Sequence, residues 1–340
     1  MYLKPQNLKI MRVKVFFLMV LVGNVLYTTA QNTFLKDQRT QEPIPYATIS
    51  FGNGNGVFAD DNGGFYFSEK LYKDIDTLFI TAIGYKELKV YKEDIKESLY
   101  MLPEVNNLKE VIVTTKKLGP YDKKTVEPIT HDDYFHCWLP TIESEIAVFF
   151  DNQTEQSKKI TKVSIPIKTE VSDWNKRKSS KAKRKPFSTL FRVKFYDNNN
   201  GLPGESLISE ILVYRITEKN AKGVYTIDIS DKHIYIPKGG IFVSVQVLGY
   251  TDKDGKLLPN KKYKEVLTKR GIVKVSTTFR PLLPFTNKIS SKKTYVKRIF
   301  LNDGKWVRFE KKNIQKKNKL LLQGYNNYGI GIEYNAYKEK

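Results

Sequence analysis

Few residues in this chain are equipped for chemistry. Its 340 residues include three histidines and one cysteine. Two of the histidines fall in HDDYFHC, where His131, Asp132, Asp133, His136 and Cys137 stand within seven positions. All five are metal-capable types, yet their spacing matches no tetrahedral zinc pattern, and no H-E-x-x-H follows. A nucleophilic Cys137 would need a histidine base brought to it in space. His136, beside it on an extended chain, points to the opposite side. G-x-S-x-G is absent. The cluster therefore reads as polar surface, with no catalytic, cofactor-binding or metal-binding residue assigned. A glycosidase would need two carboxyl groups about 5–9.5 Å apart, a feature without a sequence signature.

The stretch SFGNGNGVFADDNGGFYF, residues 50–67, has the composition of a ligand loop. Gly52, Gly54 and Gly56 give G-x-G-x-G, one position short of the dinucleotide fingerprint. No helix pattern and no Walker lysine follow. Asp60, Asp61 and Asn62 supply oxygens but not in the order of a calcium loop, and no closing glutamate is present. The remaining reading is turn chemistry. Asn53-Gly54, Asn55-Gly56 and Asn62-Gly63 are hairpin dipeptides, because both residue types tolerate positive φ.

The elements around these residues are strands. Ala47, Ile49 and Phe51 alternate with Tyr46, Thr48 and Ser50, the period of a half-buried strand. Phe65 and Phe67 share a face. DTLFITAIGYKELKV reads as two strands meeting near Gly84, and ESLYMLP as a last one. Strands every ten residues or so predict an antiparallel sandwich. Residues 116–140 show no period and read as a linker. From 141 to 340 strands resume: Val163, Ile165 and Ile167 alternate, and Phe191, Val193 and Phe195 oppose Arg192, Lys194 and Tyr196. Many short strands and no long amphipathic helix predict a second, jelly-roll-like sandwich.

The order of motifs in the first block resembles a family. Thr40 to Ala47 (TQEPIPYA), Phe58 to Phe65 (FADDNGGF), Asp76 to Tyr85 (DTLFITAIGY) and Leu108 to Thr114 (LKEVIVT) are similar to four ordered motifs of the carboxypeptidase regulatory-like domain of Bacteroidetes envelope proteins. The resemblance covers about residues 31–115. It implies a seven-strand accessory β-sandwich and brings no catalytic residue. In proteins of that kind the module stands ahead of an outer-membrane transporter or on other secreted proteins.

Residues 1–30 read as a secretion signal: Arg12 and Lys14, the apolar Val15 to Val22, then Thr28-Thr29-Ala30. Val15–Val22 is short for a membrane span, which takes about 20 apolar residues, and no later segment reaches that length. The expected place is the periplasm or the outer-membrane surface. Net charge is +22, densest in NKRKSSKAKRK (175–185), which reads as a solvated loop. An exported basic protein meets anionic envelope polymers and glycans before nucleic acid, so no nucleic-acid partner is expected. After Thr115, 225 residues remain (340 − 115), too few for a 22-strand transporter barrel at about ten residues per strand. The expected function is a non-enzymatic envelope binding module, for glycans or a partner protein. Trp174, Tyr196 and Trp306 are the candidates for stacking on sugars. An accessory component of an outer-membrane transport system and a glycan-processing enzyme are the alternatives.

Overall fold

The computed structural model describes residues 32–52, 54–68, 72, 74–104, 119–142, 144–259, 263–268, 271–300, 304–314 and 318–338. The signal stretch 1–30 and the motif Leu108–Thr114 lie outside the described residues. The architecture is all-β. Among the described residues there is a single short α-helix, α1 (Lys319–Leu322). No helix among them is long and apolar enough to cross a membrane.

The first block folds into β1 (Asn32–Asp37), β2 (Thr48–Gly52), β3 (Asn55–Phe58), β4 (Gly64–Tyr66), β5 (Thr77–Thr81), β6 (Leu88–Tyr91) and β7 (Ser98–Met101). They form two sheets, β4-β1-β7 and β3-β2-β5-β6. Between them Leu35, Ile49, Leu78, Ile80 and Met101 are fully buried. Ala47, Ile49 and Phe51 point inward as their alternation requires. One pairing departs from the antiparallel expectation: β1 lies parallel to β7. These are the first and last strands of the sandwich, so the whole intervening chain serves as the long crossover a parallel pair needs.

The second block supplies β8 (Tyr121–Val126), β9 (Cys137–Trp138), β10 (Ser144–Phe150), β11 (Lys158–Pro166), β12 (Ser188–Asn199), β13 (Leu202–Ser206), β14 (Leu212–Thr217), β15 (Val224–Asp228), β16 (Ile241–Tyr250), β17 (Tyr263–Thr268), β18 (Gly271–Ser276), β19 (Leu283–Thr286), β20 (Thr294–Arg298), β21 (Trp306–Arg308), β22 (Asn327–Tyr328) and β23 (Gly331–Tyr337). A large sheet runs β13-β12-β16-β10-β20-β21, with β14 on the other half of β12. A second sheet runs β15-β11-β23-β8, and a small third one β22-β19-β9. Val163 and Ile165 from the second sheet pack against Phe191, Val193, Phe195, Val243 and Val245 from the first. The stretch read as a linker is built into this block: β8 pairs with β23, and β9 with β19. Its lack of period has a physical reason, since β8 is an edge strand exposed at every position.

The asparagine-glycine pairs divide in two. Gly54 (φ 76°) turns the chain between β2 and β3 as expected. At the next turn Asp60 Oδ1 accepts from the Asn62 N–H at 3.0 Å and the Gly64 N–H at 2.7 Å. Asn55-Gly56, expected as a turn, instead lies inside β3, with Gly56 opposite Ser50. Gly56 is needed there for close approach: a Cβ would sit 2.3 Å from the Phe300 ring and 2.5 Å from the Ile49 carbonyl.

Candidate binding seam between the two sandwiches

The two blocks meet on the outer face of the large sheet. In a sandwich that face ordinarily meets water and carries polar side chains. Here strand alternation places a charged ladder on it. Arg192, Gln246, Glu145, Lys297 and Trp306 lie opposite one another across five strands. The next rung holds Lys194, Ser244, Ala147, Tyr295 and Arg308. Phe191, Val193 and Phe195 point the other way, into the core, as their alternation with Arg192, Lys194 and Tyr196 predicts.

Most of this ladder is out of water. Glu145 is fully buried, Gln246 is 1% exposed and Arg192 5%. Glu145 Oε1 accepts from the Tyr196 hydroxyl at 2.7 Å and the Ser244 hydroxyl at 2.6 Å. Its Oε2 lies 3.3 Å from the Lys194 ammonium and 3.4 Å from that of Lys297. Burial alone would push the Glu145 carboxyl up. The two ammonium groups and the two hydroxyls outweigh burial and hold it below the usual carboxylate range. Burial pulls the Lys194 ammonium down to about 8 despite Glu145, and Arg192 to about 10.

Arg192 ties the ladder to the first sandwich. Its Nη2 donates to the Tyr46 carbonyl, and its guanidinium lies 5.5 Å from the centre of the Phe58 ring. Tyr46 sits at φ 53°, a left-handed conformation uncommon for a bulky residue. Phe58, carried on β3, reaches the Phe300 ring at 5.8 Å and joins the core of the second sandwich.

Two openings flank this joint. One is a cleft of about 260 Å³ walled by Phe34, Val57, Phe58, Tyr66 and Tyr72 of the first sandwich and by Leu248, Leu257 and Leu258 of the second. Asp60 and Lys256 also line it, 3.8 Å apart. The other is a pocket of about 240 Å³ lined by Tyr46, Thr48, Thr81, Arg192 and Lys194 among others. The glycine-rich stretch thus supplies Val57, Phe58, Asp60 and Tyr66 to a cleft wall, while Gly52, Gly54 and Gly63, at positive φ, shape its turns.

The three stacking candidates do not act together. Tyr196 and Trp306 meet edge to face at 5.6 Å, with the Lys297 ammonium 4.7 Å from the Trp306 ring. Tyr196 is buried, and its hydroxyl is committed to Glu145, so it presents no open platform for a sugar. Trp174 is elsewhere, packed edge to face on Tyr134 at 4.6 Å with Arg177 over its ring at 4.2 Å. The basic run 175–185 begins there as a turn and is tied back, Lys185 to Glu170 and Arg184 to the Ala221 carbonyl.

The HDDYFHC cluster is fastened to the body. His131 bonds the Phe285 carbonyl, His136 bonds Gln323 and Asp133, and Asp132 pairs with Lys168. Burial pushes the Cys137 thiol up to about 12, the opposite of an activated nucleophile. Among the described residues no group of three or more His, Cys, Asp or Glu is placed to hold a metal ion.

Sequence reasoning missed Glu145, Phe58, Tyr66 and Lys256. One local signal was present for the ladder. IFVSVQVLGY interleaves Ser244 and Gln246 with an apolar row, and β16 is buried on both faces.

Fold and seam together define an all-β chain of two sandwiches joined by a buried charged ladder. No family model matches it, and no curated protein does. One solved structure aligns with it, that of the cysteine protease and lectin-like domains of Cwp84, a surface layer associated protein of Clostridium difficile. The alignment has 11% identity and a TM-score of 0.31, covering 92% of this chain and 65% of that one. The chain therefore spans less than two thirds of that structure, and so slight a likeness carries no argument.

Proposed function

We propose that the chain is a non-enzymatic binding module of the cell envelope, and that the seam cleft takes a saccharide. The observation that carries this is the composition of the cleft. Aromatic rings of the first sandwich face aliphatic side chains of the second, and Asn32 and the Asp60–Lys256 carboxylate–ammonium pair supply polarity. Ligand sites favour such junctions, where apolar walls supply contact area and a few polar groups fix orientation. Phe34 and Tyr66 line the cleft with aromatic rings of the kind sugars pack on, and Tyr72, stacked on Phe67, backs them. Among the described lining residues Asp60 is the one carboxylate. Hydrolysis of a glycosidic bond ordinarily takes two, so the cleft favours holding over cutting. The secretion-signal pattern and the resemblance of the first block to an envelope accessory module support the location and the lack of an enzyme role.

The test is affinity electrophoresis of the full chain through neutral and acidic polysaccharides, beside Tyr66→Ala and Leu258→Ser. At least one polysaccharide should retard the native chain at physiological salt. Each substitution should weaken retention about tenfold, or 1.4 kcal/mol, with unfolding temperature nearly unchanged. No retention by any polysaccharide, or retention indifferent to both substitutions, removes the cleft as a saccharide site. Release of reducing ends would move the chain to the enzyme class.

A further inference from the structure

The charged ladder is out of balance. Three cations, Arg192, Lys194 and Lys297, surround one buried carboxylate, Glu145, leaving an excess of two positive charges (3 − 1) on a largely buried face. Glu145 cannot supply more. Its oxygens already face two ammonium groups and two hydroxyls, about as many as a carboxylate can accept. Arg192 faces no carboxylate at ion-pair distance among the described residues. Its Nη2 bonds a neutral carbonyl, and its buried Nε has no partner. Beside it in register, Gln246 has both side-chain polar atoms buried and unpartnered. A buried charge without a counter-charge is costly, as is an orphaned donor.

We propose that the pocket where Arg192 and Lys194 meet the first sandwich binds an oxyanion group: a carboxylate, a sulfate or a phosphate. Its volume of about 240 Å³ admits such a group. From the first sandwich, Thr48 and Thr81 line it as directly opposed residues of β2 and β5, which makes two hydroxyls available. A guanidinium, an ammonium and two hydroxyls form a donor set suited to a tetrahedral or planar oxyanion. Such an occupant would offset the excess charge and seat itself against both sandwiches. The inference does not depend on what fills the aromatic cleft.

The experiment is thermal unfolding and calorimetric titration of the full chain with sodium sulfate, phosphate or glucuronate, each against chloride at equal ionic strength. At least one oxyanion should bind saturably and raise the unfolding temperature beyond chloride. Lys194→Met should weaken that binding more than tenfold, whereas Lys238→Met, which removes a surface ammonium paired with Glu155 and lining neither opening, should not. Should Lys194→Met fold poorly, the double variant Thr48→Val/Thr81→Val, made on the first sandwich, should show the same loss. Binding of glucuronate alone assigns the pocket to an acidic sugar. Binding of sulfate or phosphate alone assigns it to an esterified group. Stabilisation equal to that by chloride, or binding unaffected by Lys194 and both threonines, overturns the proposal.

Discussion

Glu145 is the residue on which the seam turns. It is fully buried, and two lysines and two hydroxyls converge on it. Removing one partner of a buried ionic group leaves the others unpaired, at a cost of about 3–5 kcal/mol. Glu145→Gln should therefore lower stability by that order at neutral pH, measured by denaturant unfolding. The pH dependence has a definite sign. The folded carboxyl titrates below its ordinary value of 4.5, so the unfolded state takes up the proton first as pH falls. Its contribution is fully present above that value and is lost progressively below it. The gap between native chain and Glu145→Gln should thus narrow as pH drops below 4.5. A gap constant down to acid pH would mean that the carboxylate charge does not hold the ladder. Glu145 itself was not legible. In SEIAVFF it is one polar residue at a strand end, and its burial depends on Tyr196, Ser244 and Lys297 from three distant strands.

At the scale of elements, the β2–β3 hairpin is the connecting piece. It presents Phe58 to Phe300 across the seam, and Gly56 lets the two approach. Gly56→Ala should cost about 1–3 kcal/mol through overpacking against that ring and the Ile49 carbonyl, read as a lower denaturant midpoint. An unchanged midpoint would show that the seam gives way easily. Most elements were legible because strand alternation is local. Phe191, Val193 and Phe195 announced their face, as did Ala47, Ile49 and Phe51. Two elements were not. The β8 edge strand has no buried face to impose a period. Asn55-Gly56 carries a turn signature, but tertiary contact with Phe300 places that glycine inside a strand.

At the scale of the molecule, two sandwiches share one seam, and both openings described above lie along it. Their walls join residues far apart in sequence, Asp60 with Lys256 (256 − 60 = 196 positions) and Thr48 with Lys194 (194 − 48 = 146 positions). No local pattern reports such pairings, which is why the aromatic candidates chosen from sequence, Trp174, Tyr196 and Trp306, fall outside the cleft. The glycine-rich stretch shows the same limit in reverse: its turns were readable, its place on a cleft wall was not. The central claim is that the seam, with a wall from each sandwich, is where a saccharide binds. Hydrogen exchange of the full chain, with and without a retained polysaccharide, tests it most directly. The account predicts slowed exchange in both 57–66 and 248–258, one segment from each sandwich. Protection confined to one sandwich, or centred instead on Trp174, would contradict it.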